Sequence, residues 1–287
     1  MNVSDIPETN DTEFEIRPFS RMRLPVIDVM RIAQRKHTVH GVFEADVTEA
    51  RRFIREHKTK SGERLSFTAF VATCLGQAVD ENKYLHARRD WRGRLVLFKD
   101  VDVKINVEVN TGSRSFPLPY VIRAANKKAV RDIHEEIRQV QQEGGRSREG
   151  TEMQKFASLP GFMRRGYWWV LERKPQAWKA RFGTVALTSV GMFGMGGGWG
   201  IPLSSATLTV TAGGIKQKPK ILDGQVQDRE YLSLTVSFDH DIVDGAPAAR
   251  FAQRLQEMLQ EGYGVKSPDL DADQTVKKPG EISIVVG

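Results

Sequence analysis

Apolar residues at every second position constrain this chain more than any other feature of its sequence. They are separated by polar and charged residues, and they are Val101, Val103, Ile105, Val107 and Val109. Alternation with a period of two is the pattern of a strand that buries one face. Such a face needs a second layer to cover it, so the chain is expected to build a sheet packed against other elements.

Helical patterns supply that second layer. An amphipathic helix is predicted over residues 127–142, where Val130, Ile133, Ile137 and Val140 share one stripe. The other predicted helices are 48–57, 67–79 and 248–260, and the other predicted strands are 38–47, 95–98, 118–122, 183–189, 206–211 and 231–238. The pattern predicts an α/β fold, a mixed sheet flanked by helices. Because no linker rich in Pro, Gly or Ser divides it, we expect a single domain.

The two ends of the chain differ from this middle part. Residues 1–16 are polar and acidic and are predicted to be a disordered leader. The folded domain is predicted over residues 17–264, followed by a C-terminal extension, 265–287, in which 282–286 is a candidate last strand. The chain lacks the basic start and apolar stretch of a signal peptide, and no apolar run reaches the roughly 18 residues of a membrane span. These observations predict a cytoplasmic location.

The cysteine count and the net charge limit which disulfides, metal sites and ligands the chain can have. The single cysteine, Cys74, rules out an intrachain disulfide and any metal site built on several thiolates, and no metal is expected. It lies in an apolar run, which is typical of a small buried core residue. The formal net charge is +7 at pH 7. This excess of cations fits nucleic acid, an anionic membrane surface or a polyanionic small molecule such as coenzyme A.

A basic and aromatic stretch, residues 146–182, is predicted to be a helical insert. Lys and Arg alternate in it with large aromatic residues, among them Trp168, Trp169 and Trp178. The first interpretation is a packed helix whose cations extend their aliphatic parts along its edge. The alternatives are a lid over a substrate channel and, through residues 146–181, contact with a membrane surface or nucleic acid.

A histidine at the end of a strand is the candidate catalytic group. The alternating segment 231–238 leads to His240, and Gly245 and Pro247 then mark a turn and the start of a helix. The ordinary pKa of histidine, about 6.5, suits a general base near neutral pH. Asp244 can return towards the turn and fix its geometry. Taken alone, such a His–Asp pair is consistent with a structural as well as a catalytic role.

Residues 237–251, SFDHDIVDGAPAARF, carry a family resemblance. They resemble the C-terminal signature of the catalytic domain of the dihydrolipoamide acyltransferases, the core enzymes of the 2-oxoacid dehydrogenase complexes. Residues 21–23 and 43–48 resemble the arginine-bearing entry and the first strand of that domain, so the resemblance extends over residues 19–262. It implies the fold of chloramphenicol acetyltransferase, which that family shares.

A second matching segment is TVALTSVGMFG, residues 184–194. It resembles a family segment in which a hydroxyl group stabilises the oxyanion of the reaction. The register places Thr188 at that position, and a shift of one residue would place Ser189 there instead. Adjacent strand residues face opposite sides of a sheet, so only one of the two can have this role.

The resemblance implies a reaction and a set of roles. His240 is the general base that takes a proton from an acceptor thiol or alcohol, and Asp244 is structural and pairs with Arg23. Coenzyme A supplies the acyl group as a thioester. Its candidate contacts are Ser189, Lys216 and Lys218, with Lys220 next to them; a solvated loop is the alternative for the lysines. The family also implies a homotrimer, or a multiple of three, with the site between subunits.

Departures from the family pattern concern the acceptor. Asp241 replaces the usual arginine after the histidine, Ser189 replaces the asparagine beside the oxyanion position, and the insert has no evident counterpart. No lipoylation signature is visible, so a stand-alone form without a lipoyl domain is expected. The alternatives are an O-acetyltransferase for a small molecule, like chloramphenicol acetyltransferase, and a non-catalytic trimeric assembly core. Nucleic-acid binding is disfavoured because no recognition motif accompanies the basic residues.

Overall fold

The computed structural model describes residues 14–111, 114–143, 155–190 and 196–266. The helices in these ranges are α1 (Leu24–Ala33), α2 (Thr48–Ser61), α3 (Phe67–Asp80), α4 (Val130–Glu143), α5 (Gly161–Glu172), α6 (Pro175–Phe182) and α7 (Gly245–Glu261). The strands are β1 (Thr38–Asp46), β2 (Arg88–Arg89), β3 (Leu95–Val96), β4 (Val103–Thr111), β5 (Arg114–Ile122), β6 (Val185–Ser189), β7 (Leu208–Leu222) and β8 (Gln225–Asp239). Residues 1–13 of the predicted leader 1–16, residues 146–154 of the predicted insert and the candidate strand 282–286 lie outside the described residues.

One six-stranded sheet organises the chain, in the order β1-β8-β7-β6-β4-β5. β6 runs parallel to β4 and to β7, and the other neighbouring pairs are antiparallel. β2 and β3 form a separate hairpin. The predicted mixed sheet flanked by helices is therefore confirmed.

Helices α2, α3, α4 and α7 cover the apolar face of this sheet. The alternating residues of 101–109 are buried as predicted, and they pack with buried residues of the helices, including Phe70, Ile133 and Leu255. Cys74 is also buried in this core, and burial raises the pKa of its thiol. The period-two and helical patterns thus describe the two sides of one hydrophobic core.

A long hairpin formed by β7 and β8 was only half predicted. The strands extend to Leu222 and begin again at Gln225, so the lysines at 216, 218 and 220 lie in a strand and not in a loop. The turn between the strands is Asp223-Gly224, and both residues have positive φ, 50° and 76°. An Asp-Gly pair with this geometry is typical of a two-residue hairpin turn, so the sequence did contain the signal.

The insert packs on α1 and not on the main core. A second hydrophobic cluster is formed by Ile32, Trp168, Leu171 and Trp178. At its edge, the buried Arg164 donates a hydrogen bond of 2.8 Å from Nε to Oδ2 of the buried Asp28. This arrangement matches the interpretation of the insert as a packed helical element.

Removing the carboxylate of that buried pair is expected to destabilise the fold. An Asp28→Ala variant leaves the guanidinium of Arg164 buried without its partner, which should lower the free energy of unfolding by about 3 kcal/mol. Chemical denaturation measures the change. Glu56→Ala is the matched control, because Glu56 forms an exposed pair with Arg52 at 3.7 Å, and it should cost less than about 1 kcal/mol. Equal losses in the two variants would contradict this account.

Candidate functional site

His240 lies one residue beyond the end of β8, where neighbouring segments hold its backbone. Its amide donates a 2.9 Å hydrogen bond to the carbonyl of His37, and the amide of Asp239 donates one of 2.9 Å to Thr207. The ring of His240 lies beside that of Phe238, with centroids 6.1 Å apart, and the residue is exposed. The strand end therefore presents an imidazole to solvent from a fixed backbone.

Charged residues on either side of His240 fix the same turn. The ammonium group of Lys36 donates to the carboxylate of Asp239, and Nδ1 of His37 lies 2.8 Å from Oδ1 of Asp241. Burial lowers the pKa of Lys36, and the Asp239 charge opposes that shift. Sequence reasoning missed both cations. They directly precede β1, which pairs with β8, so the antiparallel register would have placed them beside the signature.

The pair between His37 and Asp241 should respond to pH. Its hydrogen bond raises the pKa of His37 above the ordinary 6.5 and lowers the pKa of Asp241. A raised histidine pKa means that the interaction is present below the ordinary pKa and is lost as pH rises through the raised value. An NMR titration of the His37 ring should show this raised pKa, and Asp241→Asn should lower it. An unchanged midpoint in the variant would show that the bond does not form in solution.

Asp244 does not have the predicted partner. It precedes α7, its side chain makes no capping hydrogen bond, and it is exposed. Within the described residues it forms no ion pair with Arg23, which is itself exposed in the 3-10 turn Arg21–Arg23. The predicted Asp244–Arg23 pair is therefore wrong for this structure. The physical reason is position: Asp244 is exposed before the first turn of α7 and Arg23 is exposed in its own turn, whereas Asp239 at the end of β8 meets Lys36 beside the start of β1.

Thr188 and Ser189 project from opposite sides of β6. Ser189 lines a cavity of about 240 Å³ between β6, β7 and the helices α2 and α3, with Arg51 and Ile215 also in its wall. Ser189 pairs in register with Ala212, which also lines the cavity. Thr188 is half-buried and pairs with Thr211, one residue earlier on each strand, so its hydroxyl belongs to the other face. The structure thus separates the two candidates by sheet face and puts only Ser189 in the cavity.

A glycine-rich segment, residues 194–198, follows β6, and its residues 194–195 lie outside the described ranges. Residues 196–198 run against a bulge in β7, where the amide of Gly214 donates 3.1 Å to the carbonyl of Gly198. A Cβ atom at Gly213 would lie 2.0 Å from that carbonyl oxygen. Glycine is needed here for close backbone approach and not for binding phosphate.

The predicted lysine contacts for coenzyme A are not gathered at the cavity that Ser189 lines. Lys216 and Lys218 alternate with Ile215 along β7 and so face the other side. Lys218 is paired with Glu44 across the sheet at 2.5 Å. Arg51, which sequence reasoning missed, is the cation at the cavity, and it lies 3.3 Å from Glu230.

Thr188 and His240 of one chain lie far apart. Thr188 pairs with Thr211, and Thr211 with Thr235, which gives two steps across the sheet. Those steps add about 10 Å, and the chain from Thr235 to His240 adds about 17 Å along the strand, so the two Cα atoms are roughly 20 Å apart. A single carbonyl group cannot contact both side chains within one chain.

Two further properties concern metals and membranes. The described ranges contain no group of three or more His, Cys, Asp or Glu side chains arranged to hold a metal ion. None of the helices in those ranges is both long enough and apolar enough to cross a bilayer.

Curated relatives are acyltransferase components of large complexes. The chain is 22% identical over 224 residues to the dihydrolipoyllysine-residue acetyltransferase component of the pyruvate dehydrogenase complex of Mycoplasma capricolum, covering 76% of this chain and 44% of that protein. It is 25% identical to the lipoamide acyltransferase component of the branched-chain alpha-keto acid dehydrogenase complex of Bacillus subtilis, covering 76% and 46%. The chain spans less than half the length of these two relatives.

Solved structures share the fold. A probable dihydrolipoamide acetyltransferase from Listeria monocytogenes superposes with a TM-score of 0.64 at 21% identity, covering 88% of this chain and 96% of that one. The Azotobacter vinelandii dihydrolipoamide acetyltransferase gives a TM-score of 0.64 at 21% identity, covering 91% and 98%. In that enzyme, the roles of a serine, a histidine and an asparagine in the catalytic mechanism have been investigated.

A family profile matches most of the chain. Its description is 2-oxoacid dehydrogenases acyltransferase (catalytic domain), and it matches residues 11–154 and 172–264. The unmatched residues between these ranges fall inside the predicted insert, which is consistent with its lack of a family counterpart. By this match the chain belongs to the family of the 2-oxoacid dehydrogenase acyltransferases, through their catalytic domain.

Proposed function

We propose that this chain transfers acyl groups between coenzyme A and a thiol or other acceptor, with His240 as the general base. The observation that carries the proposal is the exposed imidazole on a strand end whose backbone is fixed by His37 and Thr207. The imidazole takes the proton of the acceptor thiol, and the sulfur attacks the thioester carbonyl. When the tetrahedral intermediate collapses, the carbon–sulfur bond to coenzyme A breaks. The departing thiolate takes the proton back from the imidazolium.

Thr188 is the proposed donor to the oxyanion of that intermediate. The spacing from the serine to the histidine, and from the histidine to the asparagine, in the Azotobacter enzyme equals the spacing from Thr188 to His240 and from His240 to Asp244 here. This supports Thr188 over Ser189. A hydroxyl aimed at an oxyanion contributes roughly 3 kcal/mol to transition-state stability. Asp244 takes the place of the asparagine, so an interaction with substrate or a neighbouring subunit is a better proposal for it than a pair with Arg23.

The distance between Thr188 and His240 leads to an oligomeric proposal. Because roughly 20 Å separates them within one chain, the two groups can meet at one carbonyl only if they come from different copies. We infer a ring of identical subunits, a homotrimer or a multiple of three, in which His240 of one copy faces Thr188 of the next. The structural relatives include the cubic core of a pyruvate dehydrogenase complex, which supports this arrangement.

The cavity lined by Ser189 is the proposed entry for coenzyme A. It lies at the end of β6, the strand that carries Thr188, and its wall is partly apolar, with Phe67 and Val71, and partly polar, with Arg51. Such a lining suits the middle of the molecule's arm, whose thioester end would pass the end of β6 to reach Thr188 on the other face, while Arg51 is the candidate contact for its negative charge. Lys216, the other proposed contact, lies across β7 from this cavity and would serve only a phosphate that extends around the strand.

The proposal is tested with a panel of acyl-CoA thioesters and acceptors that includes dihydrolipoamide. A thiol acceptor consumes one thiol for each coenzyme A released, so the acylated acceptor should be followed by mass spectrometry and not by free-thiol release. Transfer to an alcohol but not to any thiol would favour the small-molecule O-acetyltransferase. Absence of transfer with every pair would favour the non-catalytic assembly core.

The insert is expected to act on the acceptor side. Trp169 is 55% exposed and stacks under the guanidinium of Arg173 at 4.0 Å, whereas Trp168 is only 6% exposed. A Trp169→Ala variant should raise the KM for the acceptor several-fold and leave the KM for acyl-CoA unchanged, because it removes exposed aromatic surface. Trp168→Ala is the packing control and should lower stability by about 3 kcal/mol. Equal changes in both KM values for Trp169→Ala would place the insert outside the acceptor site.

A further inference from the structure

A second and larger cavity lies beside the signature, on the side that Asp239 and Asp241 line. Its volume is about 500 Å³, and it is enclosed by the end of α1, the β2–β3 hairpin, the end of α5 and the turn after β8. Its wall contains four carboxylates and five cations, which are Arg35, Lys36, Arg88, Arg89 and Arg173. We call it the basic cavity.

The acidic residues of the basic cavity already have partners. Glu172 pairs with Arg35 at 2.6 Å, Asp90 with Arg94 at 2.8 Å, Asp241 with His37 at 2.8 Å, and Asp239 with Lys36. Within the described part of the chain, Arg88, Arg89 and Arg173 are left without a carboxylate partner. The wall thus carries five cations and four carboxylates, and Arg88 experiences the charges of Glu172 and Asp239 without forming an ion pair with either.

Arg88 is the most confined of these three cations. It is 7% exposed, its guanidinium lies 3.8 Å from the centroid of the Trp178 ring, and Nη1 donates one hydrogen bond of 3.2 Å to the carbonyl of Ser205. Burial lowers its pKa to about 10, so it remains charged at neutral pH. An arginine offers five N–H donors, and a buried charge without a partner is costly. The free donors point to a ligand that supplies the missing oxygens.

We propose that the basic cavity binds a small organic acid, with its carboxylate held by Arg88 and Arg89 and its apolar body against Trp91, Ile32 and Ile242. The planar guanidinium matches a carboxylate through two parallel hydrogen bonds. The three apolar side chains belong to the same wall, and they would select an acid with a hydrophobic body over a bare inorganic anion. This site adjoins the turn that carries His240, and the proposal does not depend on the proposed function.

The insert gives the basic cavity one of its walls. Glu172 and Arg173 stand at the C-terminal end of α5, directly after the residues that the family profile leaves unmatched. Arg35, in the turn after α1, is held by Glu172. The pairing means that the insert encloses one side of the cavity and neutralises one of its cations, Arg35.

Calorimetry with benzoate as the probe tests the proposal. Benzoate should bind the wild-type protein, its neutral isostere benzamide should not, and inorganic phosphate should bind more weakly than benzoate. Arg88→Gln should weaken benzoate binding by roughly tenfold or more, the loss expected for charge-assisted hydrogen bonds. Arg88→Lys keeps the charge but loses the paired donors, so its affinity for benzoate should lie between those of the wild type and Arg88→Gln. Arg64→Gln is the matched control, because Arg64 is exposed and distant from the cavity wall.

Three results would overturn the proposal. The first is that benzoate does not bind the wild-type protein, which is the result expected if a carboxylate of a neighbouring subunit fills the site. The second is equal binding by wild type and Arg88→Gln, and the third is equal binding of benzamide. If Arg88→Gln does not fold, Arg89→Gln replaces it, since Arg89 is exposed; it should weaken benzoate several-fold, and equal affinity would count against the site.

Discussion

Substituting His240 by alanine is expected to lower the rate of acyl transfer by roughly 100-fold or more, the contribution of a positioned general base. The fold should survive, because the side chain is exposed and the hydrogen bond that fixes this position uses the backbone amide, which alanine retains. Steady-state rates with a competent acyl-CoA and acceptor measure the loss. The melting temperature and the oligomeric state should match those of the wild type.

His57→Ala is the matched control for that variant. His57 lies on α2, 3.8 Å from Glu63 and away from the signature, so its removal should leave the rate close to that of the wild type. Turnover by His240→Ala within a few-fold of wild type would remove His240 from the mechanism. It would leave the family membership intact but favour an assembly role for the chain.

Mixing two inactive variants is expected to restore activity. If each site takes His240 from one subunit and Thr188 from the next, His240→Ala and Thr188→Ala homo-oligomers are each impaired at every site. In a trimeric ring that contains both variants, one of the three sites has both wild-type groups, whichever variant is in the majority. Co-expression of the two variants, purification through different tags and a rate measurement would detect this recovery.

In the control for this experiment, the two variants are mixed only after each has assembled with itself. Homo-oligomers of the two variants combined after purification should stay inactive unless they dissociate. If co-expressed hetero-oligomers show no more activity than the average of the parents, the site does not span two subunits. In that case the roughly 20 Å separation within one chain would also exclude Thr188 as the oxyanion donor.

Regular periodicity made the core of this fold predictable. The alternation in 101–109 predicted a strand buried on one face, and the stripe containing Ile133 and Ile137 predicted α4, because both patterns are set by local geometry. The outer half of the β7–β8 hairpin was missed. There, lysine, glutamine and proline replace the apolar residues, so the alternation fades although the pairing continues to Leu222 and Gln225.

The site was predictable in part and for a different reason. His240 could be recognised because strand, turn and helix signals all meet next to it. The partners of its neighbours could not, since Lys36 and His37 approach Asp239 and Asp241 only through the antiparallel register of β1 and β8. The burial of Arg88 could not be predicted for the same reason, because it depends on contacts with the insert and with Ser205, both far from it in the sequence. The roles of His240, Thr188 and Asp244 stay predictions.

The long hairpin has a consequence for how the chain avoids sticking to other copies of itself. β1 pairs with β8 only from Tyr231 onwards, and β6 pairs with β7 only as far as Ala212. Among the described strands, the ribbon beyond these points has two unpaired edges, which are templates for aggregation. The edge of β7 carries Lys216, Lys218 and Lys220 around Pro219. Charge and proline are the devices that block edge-to-edge pairing, so these residues hinder pairing with another copy whether or not a ligand binds the lysines.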